Sequence, residues 1–301
     1  MYHAVIINPI AGKNNRIDNY TAKFDEVMRT RGLSYGVFVT ERAGHATALT
    51  SSLCEQHARE EVRFYACGGD GTLNEVLCGL AGKSNASLTH YPIGSGNDFI
   101  KHFDLERGDF LDIDRLIGGT EVVCDYIEGT HRDSINICTT GLDARIAADM
   151  NKYKRMPLIK GSPAYNLSVI GNLIKGLGEE YKVSVDSKNY DGVYSMIVVA
   201  NASYYGGGFH PVPEALINDG LLDVLLVKKI SRLKAASVIK VYKEGNHAAL
   251  PDIIKKITAT EITIQSEREI PINYDGEIIK ASSVSFKLSQ NKIRFVIPSS
   301  K

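Results

Sequence analysis

The sequence is short of net charge, of paired cysteines and of long apolar runs, and each shortage removes a class of protein. Lys+Arg 35 balances Asp+Glu 35, so no global positive field points to nucleic acid. Attraction to a charged surface would have to come from local patches. The five cysteines, Cys54, Cys67, Cys78, Cys124 and Cys138, are an odd set without a C-x-x-C pair. Buried thiols in a reducing compartment account for them better than disulfides or zinc ligands do. No apolar stretch approaches the length of a bilayer span. The opening Met1-Tyr2-His3-Ala4-Val5-Ile6-Ile7-Asn8-Pro9 has no basic n-region, so a signal peptide is not expected and the chain reads as cytoplasmic. Repeats and low-complexity linkers are also missing, while 301 residues exceed the usual size of one compact domain.

What is present alternates at first. Ala4–Ile7 is a short apolar run closed by Asn8-Pro9, as a buried strand ending in a turn would be. Helical spacing over Ile17–Thr30 precedes an extended Tyr35–Val39, and a second helix near Ala46–Arg59 precedes the run Val62–Ala66. Leu73, Val76, Leu77 and Leu80 then stripe a third helix. Strands separated by helices of this length imply right-handed crossovers and a mostly parallel sheet, an α/β domain of the Rossmann type. Beyond about Cys124 the pattern becomes β-rich, with runs at Tyr181–Val185, Tyr194–Ala200, Leu221–Lys228, Glu261–Gln265 and Ser283–Leu288. Helical patterns interrupt them at Pro163–Lys175 and Ser231–Gly245. The expected architecture is α/β plus β. Residues 1–124 form a three-layer α/β domain that 290–301 could complete, and residues 125–289 an antiparallel β-sandwich.

Three loops at strand ends carry chemistry. Gly68-Gly69-Asp70-Gly71-Thr72 follows a buried strand and opens a helix. Its glycines would let backbone N–H groups approach phosphate oxygens, and the helix N-terminus adds to the attraction. Asp70 would repel phosphate unless Mg²⁺ lay between them. Gly94-Ser95-Gly96-Asn97-Asp98 repeats the arrangement after His90-Tyr91-Pro92-Ile93, and Asn8-Pro9-Ile10-Ala11-Gly12-Lys13 follows the first strand. Each alone has a plainer reading as an ordinary turn; three at consecutive strand ends would face one crevice, which favours a nucleotide site. Gly79-Leu80-Ala81-Gly82-Lys83-Ser84 ends like a P-loop, but Leu77 stands at the first glycine's place. No G-x-G-x-x-G follows the first strand either.

Asn8-Pro9…Gly12-Lys13, Gly68 through Val76 (G-G-D-G-T-L-N-E-V), Pro92 through Phe99 (P-I-G-S-G-N-D-F) and Tyr274-Asp275-Gly276-Glu277 occur in this order. The set resembles the diacylglycerol kinase catalytic-domain family, which includes bacterial lipid kinases, sphingosine kinases and ceramide kinases. The resemblance runs over essentially the whole chain. Its G-G-D-G-T core is shared with NAD kinases and 6-phosphofructokinases, while Asn74-Glu75 and the Gly94–Asp98 loop are more specific.

The resemblance implies an N-terminal domain like that of NAD kinases and phosphofructokinases, and an ATP- and Mg²⁺-dependent lipid kinase acting on a lipid alcohol, by default diacylglycerol. Its nucleotide contacts would be Asn8, Pro9, Gly12, Lys13, Thr40, Gly68, Gly69, Asp70, Gly71, Thr72, Leu73, Asn74, Glu75, Gly94, Ser95, Gly96, Asn97 and Asp98. Asp275 and Glu277 match the position of the catalytic base, although Asp-Gly is first a hairpin signal. A structural Mg²⁺ would take the Asp219 side chain and the carbonyls of Leu216 and Leu221, linked through water to Asp125. Tyr204-Tyr205-Gly206-Gly207-Gly208-Phe209 suits a substrate cleft or lid, or equally a turn with core aromatics. The basic-apolar segment Lys152–Lys160 suits peripheral contact at the inner membrane face, or a solvated surface. A homodimer stays open. The rivals are an NAD kinase-like or other small-molecule kinase and a non-catalytic nucleotide- or lipid-binding regulator.

Overall fold

The computed structural model of the chain describes residues 1–12, 17–153 and 177–300. Lys13, the helical pattern at Pro163–Lys175 and all of the Lys152–Lys160 segment beyond its first two residues lie outside the described residues. The chain divides into two compact units: Met1–Tyr126 with Ser289–Lys301, and Ile127–Leu288.

In the first unit, β1 (Tyr2–Ile7), α1 (Ile17–Thr30), β2 (Ser34–Val39), α2 (His45–Gln56), β3 (Val62–Gly68), α3 (Asp70–Leu80), β4 (Ala86–Pro92), α4 (Ile113–Ile117) and β5 (Thr120–Cys124) follow one another. The C-terminal strand, Ile293–Ile297, is β15. The sheet order is β2-β1-β3-β4-β15-β5, parallel from β2 to β15, with β5 antiparallel at the edge. Residues 62–68 of β3 and 86–92 of β4 are buried throughout, as central strands of a parallel sheet covered on both faces must be. α1 buries Phe24 and Met28, and Phe24 packs edge-on to Tyr65 and Tyr91. The last strand, open to either domain from sequence, belongs to this sheet.

The second unit contains β6 (Ile127–Gly129), β7 (Ile137–Gly141), α5 (Leu142–Tyr153), β8 (Glu179–Val185), β9 (Lys188–Asn189), β10 (Gly192–Ala200), β11 (Leu222–Lys228), α6 (Arg232–Glu244), β12 (Ile254–Ala259), β13 (Glu261–Tyr274) and β14 (Glu277–Leu288). The main sheet runs β12-β11-β10-β7-β13-β14-β6, and β8 pairs with both β10 and β13. Two-residue periodicity gives this sheet two apolar faces. Ile197 and Val199 of β10 join Val183, Val224, Ile264 and Phe286 in one core. Met196, Val198 and Ala200, pointing the other way, pack with Ile146, Val238 and Tyr242 of the two helices. α6 stops at Gly245, whose φ of 68° closes the helix in the left-handed conformation. Short β7, α5 and β12 lacked a distinctive sequence pattern, because tertiary pairing rather than local periodicity defines them.

No disulfide joins the five cysteines, and burial pushes the thiols of Cys54 and Cys124 up to about 11 and about 12. No described helix is long and apolar enough to cross a membrane.

Candidate active site

In the first unit the three loops lie against one another and are bonded together. The Asn8 side-chain amide donates to Thr72 Oγ1 at 3.0 Å. Gly12, at φ 87°, comes so near the second loop that a Cβ would sit 3.0 Å from Ile93 O. Gly94 N–H donates to Gly68 O at 2.9 Å. A Cβ on Gly94 would lie 2.3 Å from Gly69 Cα, so two backbones touch where side chains cannot fit. Asp70 completes the lock: its Oδ1 accepts Asp98 N–H at 2.5 Å and Phe99 N–H at 3.4 Å. Asp70 therefore caps the 3₁₀ turn Phe99–His102 of the other loop, a role that spacing alone could not disclose.

The loops also present groups suited to a polyanion. Gly71 has nothing within 4 Å of the place a Cβ would take, on the opening turn of α3, where helix N–H groups and the dipole favour negative charge. Asn97, with a φ of 51°, donates its amide to Gly94 O at 2.8 Å, while its buried Oδ1 has no hydrogen-bond partner. His90 lies beneath, with Nε2 on Gly68 O at 3.2 Å, and burial lowers its pKa to about 4, so it is neutral. The Lys101 ammonium pairs with the buried Asp98 carboxylate. Sequence reasoning named only Lys13 as a cation for this site, and that residue lies outside the described ones; Lys101 sits three residues after Asp98, a helical spacing that could have signalled it.

The other expected nucleotide contacts differ in burial and in their partners within the fold. Leu73 is completely buried in the core. Glu75 gives one oxygen to Gly44 N–H at 2.9 Å and the other to Ala46 N–H at 3.2 Å, capping α2 from α3. Asn74 is buried as well. Thr40 is buried at the β2 end, with its N–H on Ile7 O at 2.9 Å, beside the first loop. Pro9 and Gly96 are half-buried and Ser95 is exposed.

In the second unit, Asp275 and Gly276 form the two-residue turn between β13 and β14, with φ values of 48° and 97°. Positive φ at both positions is the geometry that favours Asp-Gly in hairpins. The Asp275 carboxylate is anchored as well: Oδ2 accepts Ile135 N–H at 2.8 Å and Asn136 N–H at 3.1 Å, and Oδ1 accepts Ile137 N–H at 2.9 Å. Burial raises its pKa, and the three amide bonds pull against that. Glu277 starts β14 with an exposed side chain.

A carboxylate that sequence reasoning missed lies nearby. Thr139 Oγ1 donates to Asp143 Oδ2 at 2.7 Å, and the Asn273 amide reaches the same oxygen at 3.5 Å. Asn273 Oδ1 in turn accepts Gly276 N–H at 2.8 Å, joining Asp143 to the Asp275 turn. Tyr205 bonds both Asp143 and, at 2.8 Å, the hydroxyl of Tyr242. Burial raises the Asp143 pKa. Asp143 lines a narrow cavity of about 50 Å³ together with apolar Ile146, Met196, Phe209, Val227 and Val238. Its sequence signal was weak, because an Asp in a helix's first turn is ordinarily a dipole partner. The Tyr204–Phe209 run closes as a small hairpin through Tyr205 and Phe209, with Gly206, Gly207 and Gly208 all at positive φ.

The expected metal loop is less complete. Asp219 is exposed and its Oδ1 takes Leu221 N–H at 3.0 Å; the Leu216 and Leu221 side chains are exposed. The neighbouring acids Glu214 and Asp223 hold Lys256 Nζ at 2.7 and 3.0 Å. Asp125, in the first unit, is buried and paired with Lys292. No three Asp, Glu, His or Cys side chains gather for a metal among the described residues. The loop thus offers one side-chain oxygen beside acids already met by an ammonium ion.

Two family models match the chain: the diacylglycerol kinase catalytic domain over residues 3–128, and the YegS C-terminal NAD kinase beta sandwich-like domain over residues 136–297. The chain is 27% identical over 300 residues to a diacylglycerol kinase of Bacillus subtilis strain 168, covering 99% of this chain and 96% of that protein. It is 26% identical over 277 residues to a diacylglycerol kinase of Staphylococcus saprophyticus, covering 91% and 88%. The fold matches a crystal structure of a diacylglycerol kinase from Bacillus anthracis with a TM-score of 0.70 at 18% identity, over 98% and 96% of the two chains.

Proposed function

Because the chain belongs to the diacylglycerol kinase catalytic-domain family, and so is a phosphotransferase with an alcohol group as acceptor, we propose that it transfers the γ-phosphate of ATP to the hydroxyl of a membrane lipid. Diacylglycerol is the default acceptor and phosphatidic acid the product. The observation that carries the nucleotide half is the interlocked contact of Gly69 with Gly94, braced by Asp70 on Asp98 and Phe99. That contact leaves open backbone at Gly71 and an unpartnered Asn97 Oδ1. Phosphoryl transfer asks the protein chiefly for positioning and for charge placed against the phosphates.

In this reading, Gly68–Thr72 and Gly94–Asp98 seat the phosphates. Asp70 is the carboxylate that would hold the Mg²⁺ accompanying them, and that ion would offset their charge. The lipid oxygen forms a bond to the γ-phosphorus while the bond from that phosphorus to the bridging oxygen of ADP breaks. The hydroxyl proton passes to a carboxylate. Asp275 is the better base of the two candidates, since burial raises its pKa and a carboxylate so raised takes a proton more readily. Glu277, exposed at the next strand's start, stays the second candidate.

The test is transfer of radiolabelled γ-phosphate from Mg·ATP into a lipid panel in mixed micelles, with Asp70→Ala as control. Label in one lipid, lost in the control, names the acceptor. ATP consumption stimulated by NAD⁺ or a sugar phosphate, and not by lipid, would overturn the lipid reading.

A further inference from the structure

The charge that the whole chain balances is unevenly placed. Between Lys228 and Glu244 lie Lys228, Lys229, Arg232, Lys234, Lys240 and Lys243, against the single carboxylate of Glu244. The segment comprises the end of β11, the corner after it and α6. Lys228, Lys229, Lys234, Lys240 and Lys243 are all exposed. Leu233 stands between Arg232 and Lys234 with 96% of its surface open, the most exposed large apolar side chain among those described. The opposite side of α6 is apolar: Ala235, Val238 and Tyr242 are buried against the sheet, and Val238, Ile239 and Tyr242 wall the cavity that also holds Asp143.

A helix with cations outward, an apolar underside over a cavity and one bare leucine at its leading turn has the make-up of an interfacial element. We propose that the exposed face of α6, with the Lys228–Lys234 corner, docks the protein on an anionic lipid bilayer. These residues are other than the basic segment Lys152–Lys160 singled out from sequence, and the choice of a bilayer as partner rests on the lipid-kinase reading. Charge complementarity supplies the attraction, and Leu233 inserts among the acyl chains. A nucleic acid would meet the same cations but would leave Leu233 without a use.

The experiment is co-sedimentation of the full chain with vesicles free of diacylglycerol, made of phosphatidylcholine alone or with added phosphatidylglycerol. Binding is expected only with the anionic lipid, falling as salt shortens the screening length from about 10 Å at 0.1 M to about 3 Å at 1 M. The double variant Lys234→Glu/Lys240→Glu should bind about 20-fold more weakly or worse, each cation near an anionic surface being worth roughly fivefold. Leu233→Ser should lose about tenfold. Both variants should melt as the wild type does and phosphorylate a water-soluble short-chain diacylglycerol at its rate. Equal binding to neutral vesicles, or variants that bind anionic vesicles as well as the wild type, would overturn the proposal. So would tight binding of duplex DNA that is indifferent to Leu233→Ser. Because vesicle binding is read without phosphoryl transfer, a failed kinase assay and a failed docking assay are separate results.

Discussion

Asp275→Asn should unfold the second unit more readily as well as stop the reaction. In the wild type one carboxylate oxygen accepts two main-chain N–H groups and the other accepts one. Asparagine can keep its carbonyl oxygen on the pair from Ile135 and Asn136, but its NH₂ then faces the N–H of Ile137, donor against donor. One charge-assisted bond is lost, worth about 1.5–3 kcal/mol. The two that remain become neutral, and neutral bonds are roughly half as strong. The expected cost is about 3 kcal/mol, or about 6–12 °C in the unfolding temperature of a unit of this size. Thermal unfolding by circular dichroism reads the first effect. Single-turnover phosphoryl transfer at a temperature where the variant is fully folded reads the second. If Asp275 is the base, turnover remains lost in the folded variant, and the wild-type rate climbs with pH through a pKa above the ordinary carboxylate range. An unchanged unfolding temperature would refute the bonding argument; full turnover in the folded variant would refute the base.

Gly94→Ala should distort both loops, since the new methyl meets the Gly69 backbone at 2.3 and 2.8 Å. Overpacking of this kind costs about 1–3 kcal/mol, and ATP binding measured by calorimetry should disappear with it. Gly71→Ala meets nothing, so it should leave the melting temperature equal or higher, by up to about 1 kcal/mol of helix propensity. It should still weaken ATP binding, and unaltered affinity would show that phosphate does not approach there. Glu75→Ala should cost about 1–2 kcal/mol through the uncapped N–H groups of Gly44 and Ala46, seen as faster amide exchange at the start of α2. Burial lifts the Asp133 pKa from 3.8 to about 6. The folded state therefore holds this proton more tightly than the unfolded chain, and the stability it contributes is lost as pH rises from about 4 to 6. Asp133→Asn should flatten that part of the stability–pH curve, and an unchanged slope would count against the assignment.

The local sequence determined a good deal by itself. The stripe placed roughly over Ile17–Thr30 is the helix α1, because an amphipathic period needs no distant partner to be read. Asp275-Gly276 was legible as a hairpin turn, since positive φ at two successive residues leaves few side chains to choose from. The glycine loops were legible for a similar steric reason. What tertiary structure alone decided is which of these pieces meet. Asp70 bonds to Asp98 across 28 residues and Asn8 to Thr72 across 64. β15 enters between β4 and β5 from the far end of the chain. Glu75, a nucleotide contact by resemblance, also caps a helix, and Asp143, which the sequence reading passed over, lines an apolar cavity. Burial and partnership are properties of the assembled sheets and their packed faces. Local period and turn chemistry reach only a few residues, so they set the elements, and long-range packing set the site.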